Sequence, residues 1–350
     1  MTPNKTPLTG IGNIAVTWNS SGVPTLTAGA VSPPGATFTY QWWSNTGIIS
    51  GATSSSYTGT ADTSYYVTAT GTGAYSGTAI SLTVTPTRTL LQSIGATTVT
   101  WSSSGVPTLT AGAVAPSGAT FTYQWWSDNG SGWSSIAGAT SSSYIGAENI
   151  PYKVVVTGTG AYTGTKESTV TPRRTSLTGI GVITITRNGS TLTLTAGAVS
   201  PPGATVTYQW QTYSGSSWSN VTGATSSSCY AAGDTRYRVV VTGTGAYSGT
   251  RASDPVDTPT QVTAIGDITK YYSTLYPGAV TPSGATVTYQ WQRSERNWFF
   301  GWSGWSSWSN IGTGSTCSFT SDGTFTDYRY QLIVTGTGDY YGSATSATYG

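Results

Sequence analysis

Few side chains in this sequence could make or break bonds. Histidine is absent from all 350 residues, which removes the usual general base and metal ligand near neutral pH. Two cysteines, Cys229 and Cys317, and 12 scattered acids remain. The acid that recurs sits before a tyrosine in each quarter of the chain, as Asp62, Glu148, Asp234 and Asp327, and it reads as structural. Serine clusters such as Ser54-Ser55-Ser56 have no base to activate them, and their recurrence suits an edge strand. The run Thr70-Gly71-Thr72-Gly73-Ala74-Tyr75 has the look of a phosphate loop but lacks the Lys-Ser/Thr ending and a following helix pattern, so it reads as a hairpin turn. These residues predict no catalytic centre, no cofactor and no metal site, and the chain is expected not to be an enzyme.

Aromatic residues are the other chemically distinctive set. Between Trp291 and Asn310 lie Trp298, Phe299, Phe300, Trp302, Trp305 and Trp308, in a segment nine residues longer than its counterpart from Trp210 to Asn220. Large rings added where a short polar loop suffices elsewhere predict a subunit, host-protein or sugar contact, with Arg293, Glu295 and Arg296 as its polar rim; the alternative is a loop that folds back and covers its own sandwich.

The elements that carry these residues follow from a repeat. Tyr-Gln-Trp begins at Tyr40, Tyr123, Tyr208 and Tyr289, spaced by 83, 85 and 81 residues. Ile-Gly at Ile11, Ile94, Ile180 and Ile265 keeps the same phase, as do the first glycines of the Thr-Gly-Thr-Gly turns, Gly71, Gly158, Gly243 and Gly336. Within a unit the period is two: Phe38, Tyr40 and Trp42 alternate with Thr37, Thr39 and Gln41. Tyr152–Val156 and Tyr237–Val241 form a second β-branched strand, whose charged Lys153 and Arg238 are expected to face solvent. Gly/Pro punctuation separates short strands, and no segment has a helical period.

On these motifs the whole chain resembles the immunoglobulin-like repeats of bacteria, archaea and phages, of the Big type. The resemblance implies a core tryptophan on the third strand at Trp42, Trp125, Trp210 and Trp291, and a corner tyrosine at Tyr65, Tyr152, Tyr237 and Tyr330. Antibody-type cysteine sites are occupied instead by Val67, Val154, Val239 and Leu332 and, opposite them, by Ala28, Ala111, Ala196 and Pro277, so the branch implied is the one lacking the intradomain disulfide. Cys229 takes the place of Tyr57 and Tyr144, Cys317 lies near the same place, and both read as buried, unpaired thiols, with an intermolecular bridge as the alternative. The expected fold is all-β: four tandem immunoglobulin-like Greek-key β-sandwiches arranged as a rod. The units are residues 1-86, 87-172, 173-259 and 260-350, the last with its aromatic insertion over 292-308. Proline-stiffened linkers such as Thr85-Pro86-Thr87-Arg88-Thr89 join them.

Composition narrows the partners. With 14 basic residues against 12 acids, a net charge of +2 and no basic run, nucleic acid is not an expected partner. Only 7% of residues are charged, so copies repel one another weakly and a homo-oligomeric assembly is expected, with copies of itself, other virion or cell-surface proteins, or surface glycans as partners. No apolar stretch reaches membrane-spanning length, and residues 1-5 lack a secretory apolar segment. The reading is a non-enzymatic structural or binding protein of a virion surface, a phage decoration or fibre component. The alternatives are a secreted bacterial or archaeal adhesin, surface-layer or extracellular filament subunit at the cell surface, and an array of carbohydrate-binding modules.

Overall fold

The computed structural model describes residues 4-298, 301-320 and 325-350. The first repeat contains β1 (Thr6–Pro7), β2 (Gly10–Ile11), β3 (Ala15–Trp18), β4 (Pro24–Thr27), β5 (Val31–Ser32), β6 (Phe38–Ser44), β7 (Gly47–Ile48), β8 (Ser56–Thr58), β9 (Tyr65–Gly71), β10 (Tyr75–Ser76) and β11 (Thr78–Ile80). They form two main sheets, ordered β3-β4-β8 and β11-β9-β6-β7. The second and fourth repeats reproduce this three-plus-four partition, the third adds a short fifth strand, Val256–Asp257, to its larger sheet, and every ladder closes within its own repeat. The protein is therefore an all-β array of immunoglobulin-like sandwiches. It departs from the antibody constant domain in that β7 pairs with β6, instead of joining the sheet of β8, and β1 pairs in parallel with β10.

The chain divides into two compact units, Met1–Arg174 and Thr175–Gly350, and each holds two such sandwiches. No helix among the described residues is long and apolar enough to cross a membrane.

Alternation on β6 and β9 explains the sandwich. Trp42 opposes Val67 across the ladder, and both are fully buried with Leu26 of β4 and Tyr65. Trp125, Trp210 and Trp291 are equally buried, each at the centre of its own cluster. Each of these indoles donates Nε1–H to a backbone carbonyl, of Ser54, Ser141, Ser226 or Gly314, at 2.9 to 3.0 Å. The ring thus fills the core while its one polar atom is satisfied. In the first three repeats the serine cluster supplies that acceptor, and Ser56 opens β8, an edge strand.

The recurring Ile-Gly has a steric cause. A Cβ on Gly29 would run into the backbone of Gly12, and Gly112–Gly95, Gly197–Gly181 and Gly278–Gly266 repeat the contact, so only glycine lets these segments pass so closely. Thr-Gly-Thr-Gly forms the β9–β11 connection, with Thr72 N–H donating to Thr37 O at 2.9 Å and Gly71 N–H to Gly77 O at 2.9 Å.

The corner tyrosines are hydrogen-bonded as the fold requires. Tyr65, Tyr152 and Tyr237 accept at Oη from the backbone N–H five residues upstream, of Thr60, Ala147 and Ala232, at 2.8 to 2.9 Å. Tyr330 makes the same bond to Thr320, ten residues upstream, at 3.0 Å.

The recurring acid needs correction. Asp62 and Asp234 occupy the left-handed region at φ of 60° and 53°, but in the second repeat that place belongs to Asn149, at 63°, and not to Glu148. Asp and Asn share it because both tolerate that conformation. The backbone N–H of each reaches a linker proline carbonyl, of Pro86, Pro172 or Pro259, at 2.8 to 3.1 Å. Glu148 instead accepts from Arg174 Nε at 2.8 Å and from the Arg174 backbone N–H at 3.2 Å. Asp327 lies in a strand, paired with Arg296.

Candidate functional site

In the fourth repeat the strands equivalent to β6 and β9 grow to eleven residues each, Val287–Asn297 and Thr326–Gly336. They stay paired to their ends, with Arg296 opposite Asp327 and Asn297 opposite Thr326. The added residues therefore build a longer hairpin, whose described part carries Trp298, Trp302, Trp305 and Trp308. Phe299 and Phe300 lie outside the described residues.

The tryptophan segment runs beside this hairpin and is fastened by serines. Ser303 N–H donates to Asn297 O at 2.8 Å, and Ser303 Oγ accepts from Asn297 N–H at 2.9 Å. Ser306 repeats the exchange with Glu295 at 2.8 and 3.0 Å, and Ser294 Oγ donates to Ser306 O at 2.7 Å. Anchors three residues apart leave Trp302, Trp305 and Trp308, also three apart, facing the same arginines.

The result is an alternating stack. The guanidinium of Arg296 lies 4.9 Å from the Trp302 ring centroid and 4.7 Å from that of Trp305. Arg329 sits 4.6 Å from Trp305 and 4.9 Å from Trp308. Each contact is within cation–π range, and Arg suits it because its planar, weakly hydrated cation can take a ring on each face. Arg296 is also held by Asp327 at 2.8 Å. Arg329 Nε is buried without a hydrogen-bond partner among the described residues, so the rings are what offset its desolvation.

Arg296 is thus inserted between rings and is no part of a polar rim; Arg293 covers Tyr328 at 4.6 Å and lies 3.8 Å from Glu295. Trp305 and Trp308 are half-buried in the ladder, whereas Trp298 and Trp302 remain 44% and 45% exposed. Trp298 stacks on Phe325 at 6.1 Å and 25°, giving the hairpin an apolar end.

Weaker versions occur on the same outer sheet face elsewhere. Trp43 stacks on its cross-strand partner Tyr66 at 5.7 Å and 4°. Lys153 lies 5.4 Å from Trp126 and 5.0 Å from Trp133, and Arg238 lies 4.4 Å from Trp218. Lys153 and Arg238 therefore cap aromatic rings, where the sequence reading had them simply facing solvent. Ser303, Ser306, Arg329 and Phe325 were missed by that reading; the three-residue spacing of Trp-Ser pairs was the signal that could have found the two serines.

Polar chemistry elsewhere is subdued. Burial pushes the Cys229 thiol up to about 11 and raises Cys317 as well, the latter against the pull of Arg293, and neither cysteine is in a disulfide. Cys229 stands opposite Leu194 as Tyr57 stands opposite Leu26, so it fills a core position. Among the described residues, no group of three or more His, Cys, Asp or Glu side chains is placed to hold a metal.

No family model matches the chain. No curated protein matches it either. Among solved structures, the FN1-FN3 domains of chicken CNTN1 align with 71% of this chain and 97% of their own, at 14% identity and a TM-score of 0.23. At that superposition the likeness carries no argument, and the class, a tandem array of immunoglobulin-like sandwiches, stands on the strand order.

Proposed function

We propose that this chain is a non-catalytic array whose fourth repeat carries the contact that joins it to a larger surface assembly. The supporting observation is the exposed Trp298–Phe325 pair, held at the end of a hairpin the other repeats do not build and braced by the arginine–tryptophan ladder. Bracing matters because a contact ordered in advance loses less entropy on binding. A non-enzymatic role is supported by thiols held protonated and by acids engaged in ion pairs, among them Glu148, Asp257 and Asp327. The setting proposed is the outside of a virion, as a decoration or fibre protein of the Big-type family, with an adhesin, surface-layer or filament subunit of a bacterial or archaeal cell as the alternative. Electron microscopy of the native particle separates the two.

The flat Trp298–Phe325 pair also suits a sugar ring, which makes surface glycan the second reading. One pair of substitutions in the whole chain, Trp298→Ala with Phe325→Ala, addresses both. Neither ring belongs to the ladder, so the unfolding temperature should stay within about 2 °C of wild type. Attachment to the native surface should weaken at least tenfold, and a glycan array probed with the two proteins identifies a sugar if one is bound. Undiminished attachment to both surface and glycans overturns the proposal.

A further inference from the structure

The first repeat differs from the others on the outer face of its larger sheet. The strand order there is β11-β9-β6-β7, and each strand adds an apolar side chain to one row. Ile80 and Leu82 alternate with the buried Ala79 and Ser81, so they point outward, and they are 64% and 74% exposed. Beside them the half-buried Tyr66 of β9 opposes Trp43 of β6, which in turn opposes Ile48 of β7, 60% exposed. Trp43 Nε1–H donates to Thr68 Oγ1 at 3.2 Å, so the indole needs no polar partner from outside.

No charged side chain stands in this row among the described residues. In the second repeat Tyr66 and Ile80 are replaced by Lys153 and Glu167, an ion pair at 3.4 Å whose lysine caps Trp126. In the third repeat Arg238 takes the place of Tyr66 and Asp254 that of Leu82. The fourth has Gln331 for Tyr66 and Thr345 for Ile80. Ile48 gives way to Ser135, Asn220 and Asn310. The sandwich therefore folds with polar residues at these positions, and its core does not require the apolar row. Contiguous apolar side chains left in water on one face mark a contact.

Order, charge and area decide what covers it. Trp43 and Tyr66 lie parallel, at 4° with centroids 5.7 Å apart, so each ring covers a face of the other and little open ring face is left for a sugar. Across the sheet the row reads aliphatic, aromatic, aromatic, aliphatic. A two-fold axis along the strands lays such a row on itself: Ile48 of one copy meets Ile80 and Leu82 of the other, and the two aromatic pairs meet at the centre. No like charges are opposed in doing so. Four strands about 4.8 Å apart, each about six residues long, offer roughly 400 Å2. That is about half of the 800 Å2 or so that each partner gives a standard interface, which suits a weak dimer and not a permanent one.

We infer that the outer face of the first repeat's larger sheet, centred on Trp43 and Tyr66, is a two-fold contact with the same face of a second copy of this chain. The two sheets pack face to face, as the sheets within one sandwich do. An isologous contact occupies the face on both copies, so it stops at the dimer. It is separate from the fourth-repeat hairpin and does not depend on the contact proposed there.

Sedimentation of the full chain over a concentration series tests it. Wild type should pass from monomer to dimer below about 1 mM and go no further. Tyr66→Lys with Ile80→Glu installs the ion pair of the second repeat, and it should weaken dimerisation at least tenfold while leaving thermal unfolding intact. Ile48→Ser with Leu82→Thr, at the two exposed edges of the row, should do the same and keeps the test open if the first variant fails to fold. Trp298→Ala with Phe325→Ala should leave dimerisation unchanged. Wild type that stays monomeric up to about 1 mM overturns the inference, as does dimerisation that a folded face variant leaves intact. If wild type stays monomeric and the face variants instead weaken attachment to the native surface, the occupant is another protein and the second copy is ruled out. If the Trp298 and Phe325 substitutions abolish self-association while the face variants retain it, the hairpin is the self-contact and this face is not.

Discussion

Trp125 shows how much of each sandwich rests on one side chain. Its ring is fully buried among Leu109, Tyr152 and Val154, and its Nε1–H donates to Ser141 O at 2.9 Å. Trp125→Ala removes the burial, opens a cavity and leaves that carbonyl without its partner, so the second repeat should lose roughly 3 to 5 kcal/mol. Chemical denaturation of the whole chain, followed through signals assigned to the second repeat, checks this; a loss below about 1 kcal/mol would mean that the cavity collapses without cost. Trp305, by contrast, is held by two guanidiniums outside the core, so its stability contribution is expected nearer 1 to 2 kcal/mol, roughly one desolvated cation–π contact.

The linker between the second and third repeats is fastened by a group that responds to pH. Partial burial works to raise the pKa of Glu148, but the hydrogen bonds and charge of Arg174 outweigh it and hold the carboxyl below the ordinary range. A carboxylate held low in the folded state stabilises above its unfolded pKa, and that contribution disappears as the pH falls through the lowered folded value. Wild type should therefore lose up to about 1 kcal/mol relative to Glu148→Gln between roughly pH 5 and pH 3, the size usual for a partly exposed pair. Parallel unfolding curves of the two proteins across that range would show that Arg174 contributes nothing. The linker proline carbonyls bound by Asp62, Asn149 and Asp234 are neutral contacts to backbone N–H groups and should not titrate.

For the whole chain, the two compact units predict where it is cut. Trypsin has only 14 basic residues to choose from. Arg88 packs on Gly22, Arg174 is tied to Glu148, and Lys153 and Arg238 cap rings, whereas Arg173 is exposed in the linker at the end of the first unit. Apart from trimming at Lys5, the first internal cut should fall after Arg173 and yield two fragments of two repeats each. Mass spectrometry of a digestion time course decides, and an earlier cut after Arg88 would show that the first unit is less tightly held than its contacts indicate.

What the sequence determined by itself is what local chemistry and the core dictate. Alternation of Phe38, Tyr40 and Trp42 specifies a strand with one buried face, and its return with Trp125, Trp210 and Trp291 specifies four sandwiches, because only a repeated core needs a repeated pattern. Gly12 was legible as part of the Ile-Gly landmark, although its close contact with Gly29 was not. The aromatic insertion was legible as an excess of rings without a geometry. That Arg296 and Arg329 interleave with Trp302, Trp305 and Trp308 was decided only in three dimensions: it depends on the register of two eleven-residue strands and on serine anchors to a neighbouring strand. Asn149 in place of Glu148 was hidden for a related reason, since a left-handed position is set by the turn it closes, and Asp and Asn satisfy it equally. A core pattern is written in one strand's period, whereas a surface stack exists only once separate segments have been aligned.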